Sequence, residues 1–107
     1  MPAIGYVAQS ENGTFKGQLK TISIRAEITI TPNVRKANDV QPDYRVYSGD
    51  VEIGAGWNRH SEASGNEYIS LSLAAPEFGP RRLYANLVHA AGDARDDRFV
   101  ILWNPAD

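Results

Sequence analysis

The two histidines, His60 and His89, are the side chains best suited to proton transfer or metal ligation near neutral pH, and they stand in separate segments of the chain. Neither sits in a His-x-x-x-His or glutamate-linked zinc pattern. His60-Ser61-Glu62 aligns a base, a hydroxyl and a carboxylate in sequence, but a triad is made by geometry rather than adjacency, and a polar turn is the simpler reading. Asp93, Asp96 and Asp97 are interrupted by Ala94 and Arg95, a spacing that matches no calcium loop, so a solvated hairpin loop is expected. Gly54-Ala55-Gly56-Trp57-Asn58-Arg59 opens like a dinucleotide fingerprint, yet it lacks the third glycine and lies in a strand pattern rather than before a helix. Cysteine is absent, which removes thiol nucleophiles, thiolate metal sites and disulfides. No catalytic residue, metal ligand or cofactor is therefore assigned. A pair of scattered carboxylates such as Glu52 and Glu67 is the remaining acid–base alternative.

A different constellation is more suggestive: Lys20, Arg25, Tyr44, Arg45, Tyr47, Trp57, Arg59, Tyr68 and Tyr84, aromatic and basic residues on expected strands. Rings beside cationic side chains are how β-surfaces hold single-stranded nucleic acid. Tyrosine and tryptophan serve equally well at the edge of an ordinary core or as anchors of a protein interface. Gly54 and Gly56 join the candidate surface, because alternating glycines leave one strand face bare for a backbone, a ring or a ligand. A bend or bulge is the competing explanation.

These residues must be positioned by strands. Ile22 to Thr31 alternates apolar and polar side chains without a break, the signature of a strand with one wet face, and Pro32 ends it by removing a donor. Phe15, Gly17 and Leu19 continue the period, joined to a strand around Ile4 to Ala8 through Glu11-Asn12-Gly13, a hairpin signal in which both Asn and Gly tolerate positive φ. Tyr44 to Ser48 pairs across Gly49-Asp50 with a strand whose Val51, Ile53, Ala55 and Trp57 share one face. Ile69, Leu71 and Leu73 form another half-wet strand. Val34 to Val40 and Ala75 to Phe78 are the segments that read as non-extended.

Leu83 to Val88 and Phe99 to Trp103 are apolar at nearly every position, so both of their faces are expected to be covered. Two coverings are open. Either a loop such as Asn33 to Pro42 folds over the outer side, or a second subunit or partner protein does. The expectation is one all-β domain spanning 1–107, an antiparallel barrel or sandwich of about seven or eight short strands with little or no helix.

Eleven basic and thirteen acidic residues give a net charge of −2, without the basic excess that usually accompanies phosphate tracking. Neither a basic leader before an apolar run nor a membrane-length apolar stretch occurs, and together with the missing cysteines this favours the cytoplasm. Asn12-Gly13-Thr14 is formally a glycosylation acceptor, without meaning in that compartment.

Several separate blocks, in order, carry a family resemblance: Ile4-Gly5, Leu19-Lys20-Thr21, Pro42-Asp43-Tyr44-Arg45-Val46, Glu52-Ile53-Gly54-Ala55 with Trp57, Tyr68-Ile69-Ser70-Leu71, Pro76 with Phe78, Tyr84-Ala85-Asn86-Leu87 and Leu102-Trp103. Over nearly its full length the chain resembles the domain of unknown function 736 family, small proteins of alphaproteobacterial plasmids and conjugative elements. The resemblance implies a mobile-element accessory protein and no chemistry. It also shows a departure, since relatives tend to carry lysines after the tryptophan and an aspartate pair before the Pro-x-Phe block. Here Asn58-Arg59-His60 and Ala74-Ala75 take those places.

The expected function is accordingly a non-enzymatic binding protein acting through protein contacts, as an adaptor or as an inhibitor of a host defence complex, with self-association as one form. Single-stranded nucleic-acid binding on the aromatic and basic surface is the alternative, and no membrane role is expected.

Overall fold

The computed structural model describes residues 2–63, 65–90 and 97–105. Eight antiparallel strands follow one another around a closed barrel: β1 (Ala3–Gln9), β2 (Phe15–Lys20), β3 (Arg25–Pro32), β4 (Tyr44–Ser48), β5 (Val51–His60), β6 (Glu67–Leu73), β7 (Leu83–His89) and β8 (Arg98–Trp103). Each strand pairs with its sequence neighbours, and β8 closes onto β1 through Val100↔Tyr6 and Phe99↔Val7. Closure leaves no free sheet edge, which answers the barrel-or-sandwich question. A single 3₁₀ turn, Pro76–Phe78, is the helical element among the described residues.

The alternation read from the sequence becomes an inside and an outside. Val7, Phe15, Leu19, Ile28, Ile30, Val46, Leu71, Leu73, Leu87 and Ile101 are buried in one interior cluster. At one end of the barrel Phe15 stacks edge-on to Phe99 (5.0 Å between ring centres) and to Tyr44 (6.0 Å). At the other end Ile24, Ala75 and Phe78 pack against the core.

Three local expectations are corrected. The strand predicted from Ile22 starts at Arg25. Thr21 N donates to Ile24 O and Ile24 N to Thr21 Oγ1, so these residues form a turn that leaves Ile22 fully exposed. In the first hairpin only Gly13 takes a positive φ, 87°, while Asn12 contributes its side chain: Oδ1 accepts from Thr14 N (3.1 Å) and is hydrogen-bonded to Ser10 Oγ. An Asx-type acceptor thus replaces the second left-handed residue.

The third correction matters most for function. A register shift between Val46 and Tyr47 places Val46 opposite Gly54 but Tyr47 opposite Glu52, so Ile53 is an extra residue, a β-bulge. The bulge lets Ile53 stay buried and then reverses the parity of the rest of β5. Gly54 and Gly56 point inward and Ala55 and Trp57 outward, the opposite of the uninterrupted alternation. A Cβ on Gly54 would lie 2.2 Å from Ser72 O, and one on Gly56 would press on Ile69 and Leu71. The bare face is a close approach between strands inside the barrel, which is the bulge explanation.

Candidate functional site

The barrel distributes the candidate residues over four places. Tyr44, Gly54 and Gly56 are interior: Tyr44 faces Gly56 across the β4–β5 ladder and packs on Phe15. Burial pushes the Tyr44 phenol above its ordinary value, and the Asp43 carboxylate beside it pushes the same way. These three turn toward the interior and are not part of the outer wall.

Lys20 and Arg25 face one another outward across the β2–β3 ladder. Strands β3 and β4 lie between that ladder's β2 and β5, so the two cations stand apart from Trp57. Arg45 and Tyr47 lie on the outer wall of β4. Arg45 Nη1 meets Glu52 Oε2 at 3.4 Å and its Nε donates to Asn33 Oδ1 at 3.4 Å, so its charge is shared with a neighbour.

Trp57, Arg59, Tyr68 and Tyr84 do come together. On the outer wall Arg59 is opposite Tyr68, Trp57 opposite Ser70, and Ser72 opposite Tyr84. Trp57, Arg59, Ser70, Ser72 and Tyr84 line a shallow depression of about 330 Å³. Arg82, which sequence reading missed, borders it through Ser72: its Nε donates to Ser72 Oγ (2.6 Å) and its Nη2 to Ser72 O (3.4 Å). Ser72 is the one buried polar side chain among the described residues. It lies on the strand face opposite Leu71 and Leu73, a hydroxyl at an outward position where the half-wet pattern offered no hint of a partner.

The same wall continues into a less polar surface. One residue beyond the Ile69↔Leu87 pair, Tyr68 and Val88 line the same hollow, and Val88 is followed along the cross-strand row by Val100 and Tyr6. Their outward direction follows from Leu87, Ala85 and Ile101, which alternate with them and are buried. Leu102 and Asn86 face each other one step along. Four strands thus present a tyrosine-ended apolar row about 14 Å long at ordinary strand spacing. Tyr6 is 66% exposed. Sequence reading flagged the doubly apolar β7 and β8, and the missing signal was that Tyr6 shares their outward parity.

The loop expected as a covering lies elsewhere. Asn33 Nδ2 donates to Pro42 O (2.9 Å), Lys36 Nζ to Asp43 Oδ1 (2.5 Å) and Trp57 Nε1 to Val40 O (3.4 Å), which fasten residues 33–42 beside β4 and β5. Lys36 and the Asn58 amide (2.9 Å to Asp43 Oδ2) hold the Asp43 carboxyl below its ordinary value.

The other polar motifs assemble nothing comparable. His60 Nε2 lies 3.6 Å from Glu67 Oε1 on a surface where both side chains are largely wet. Ser61 instead closes a turn, accepting from Gly65 N. No group of three metal-ligating side chains occurs among the described residues, and Asp93 and Asp96 lie outside them. Among the described residues, no helix is long and apolar enough to cross a membrane.

Neither the curated proteins nor the solved structures include a match to this chain. A family model does match, over residues 3–106, and the chain belongs to that family, described as protein of unknown function (DUF736).

Proposed function

We propose that the protein works by binding rather than catalysis and that its partner is another protein chain seated on the outer wall of β7, β8 and β1. The observation that carries this reading is the row Tyr68, Val88, Val100 and Tyr6 with Leu102 beside it, a wall that alternation turns away from a filled interior while the long loop is fastened over β4 and β5. A partner removes such apolar surface from water, and tyrosines at its ends are suited to anchor the contact. The altered titrations of Asp43 and Tyr44 have structural causes, a surface ion pair and burial, and the Trp57 depression holds no carboxylate or histidine of its own. The resemblance to proteins of bacterial mobile elements supports a cytoplasmic adaptor or an inhibitor of a host defence complex as the form this contact takes.

The test is light scattering of the purified protein together with affinity capture from the native host, using wild type and Val100→Glu. The expected result is an assembly or captured protein with wild type that is lost in Val100→Glu, while the melting temperature changes little because position 100 faces outward. A strict monomer that captures nothing, or captures the same proteins with both forms, contradicts the reading.

A further inference from the structure

We propose that the depression between Trp57 and Tyr84 is a binding site for one nucleotide of a single-stranded nucleic acid, the base lying against the rings and the two phosphates that flank it engaging Arg82 and Arg59, one each. This site adjoins the apolar row but does not depend on it.

The floor between the two rings is built from the small residues Ser70 and Ser72, with Ala55 beside them, and the Arg82 guanidinium lies over Ser72, so a planar group meets Ser70 and the arginine rather than an apolar side chain. Trp57 is steadied by its indole N–H on Val40 O. Arg82 is oriented across the wall by two donations to Ser72, which leaves three of the five guanidinium N–H donors without a partner among the described residues. The Arg59 side chain makes no hydrogen bond or ion pair among the described residues. The acid whose charge reaches it, Asp43, is already engaged by Lys36 and the Asn58 amide. Glu52 and Glu67 are likewise turned to Arg45 and His60. One arginine, Arg59, thus lines a depression that holds no carboxylate, and a second, Arg82, borders it through Ser72.

That combination selects among anions. A peptide carboxylate satisfies the guanidinium groups but makes no use of two rings separated by a small-residue floor. A strand of nucleotides supplies a flat base and a charge in each repeat, and both are used here. The chain's net charge of −2 gives no long-range attraction, so binding is confined to this spot and weak.

The probe is fluorescein-labelled oligothymidylate of about 12 nucleotides, followed by anisotropy at several salt concentrations. The expected result is micromolar binding at low salt, with a log–log salt slope of about −1.4, since each of two phosphate contacts to a single strand contributes about −0.7. Arg59→Ala and Arg82→Ala each bring the slope to about −0.7, and Trp57→Ala weakens binding by about tenfold. Ser72→Ala, which frees Arg82 without removing its charge, weakens binding less than Arg82→Ala. Lys20→Ala on β2 and Val100→Glu on the apolar row leave binding unchanged, so failure here is separable from failure of the protein-contact reading. Circular dichroism confirms that each variant keeps the strand signal. No binding by folded wild type, binding indifferent to Arg59 and Arg82, or an oligoglutamate peptide competing at equal charge through the same residues would each overturn the proposal.

Discussion

Asp43 shows how much a single carboxylate can organise in a small barrel. One oxygen accepts from Lys36 in the long loop and the other from the amide of Asn58 on β5, so the loop and the strand bearing Trp57 share one anchor. Its folded value is lowered, so its contribution is complete above the ordinary carboxylate range near about 4 and is lost as the pH falls through the lowered value. Asp43→Asn is expected to loosen the loop already at neutral pH, seen as a shift of the Trp57 indole N–H resonance, with the barrel amides unmoved. Tyr44 carries the opposite sign. Its value is raised by burial and then by Asp43, so the stability it contributes is intact below about 10 and falls as the pH rises through the folded value. Tyr44→Phe keeps the ring against Phe15 and is expected to remove this alkaline transition from a pH series of thermal melts.

At the scale of elements, the two-residue period located β2, β3, β5 and β6, because one wet and one dry face is a strong demand on a barrel wall, while hairpin signals placed β1 and β4 and continuous apolar runs placed β7 and β8. What it could not locate was the extra residue at Ile53. Both parities of β5 look acceptable when Ala55 and Trp57 are apolar and Gly54 and Gly56 have no side chain to object, and the choice is made by pairing with β4 and β6. Glycine therefore reads as an exposed bare face in sequence and turns out to be an interior contact. Gly17, which the sequence places on one face with Phe15 and Leu19, is a close approach of the same kind, since a Cβ there would lie 1.9 Å from Tyr6 O. Gly17→Ala and Gly54→Ala are each expected to cost at least about 2 kcal/mol in denaturant unfolding, because the obstruction is backbone and cannot swing away. Ala55→Ser, one residue along β5 and outward, is expected to stay within about 0.5 kcal/mol. Equal costs at 54 and 55 would mean that the bulge is misplaced.

Over the whole molecule, the wall divides by character. Lys16, Gln18, Lys20, Arg25 and Glu27 face outward on β2 and β3, whereas β7, β8 and β1 present Val88, Val100, Leu102 and Tyr6. This division was partly legible. Apolar residues at both parities of β7 and β8 announced a second covered face, but sequence alone left two coverings open, the loop 33–42 being favoured over a partner, and only the hydrogen bonds of Val40, Pro42 and Asp43 assign the loop to β4 and β5. Of the aromatic and basic candidates, Trp57, Arg59, Tyr68 and Tyr84 converge because their strands are neighbours, while Lys20 and Arg25 diverge around the circumference and Tyr44 turns inside. Arg82 was illegible because it lies just before a strand, and its role comes from reaching back to Ser72 on β6. The claim that the apolar wall is a protein interface is met most directly by placing a photo-crosslinking amino acid at position 100 on β8 and, separately, at position 18 on β2, then irradiating living host cells. The account predicts a discrete protein adduct from position 100 and none from position 18; adducts from 18 alone, or from neither site, would contradict it.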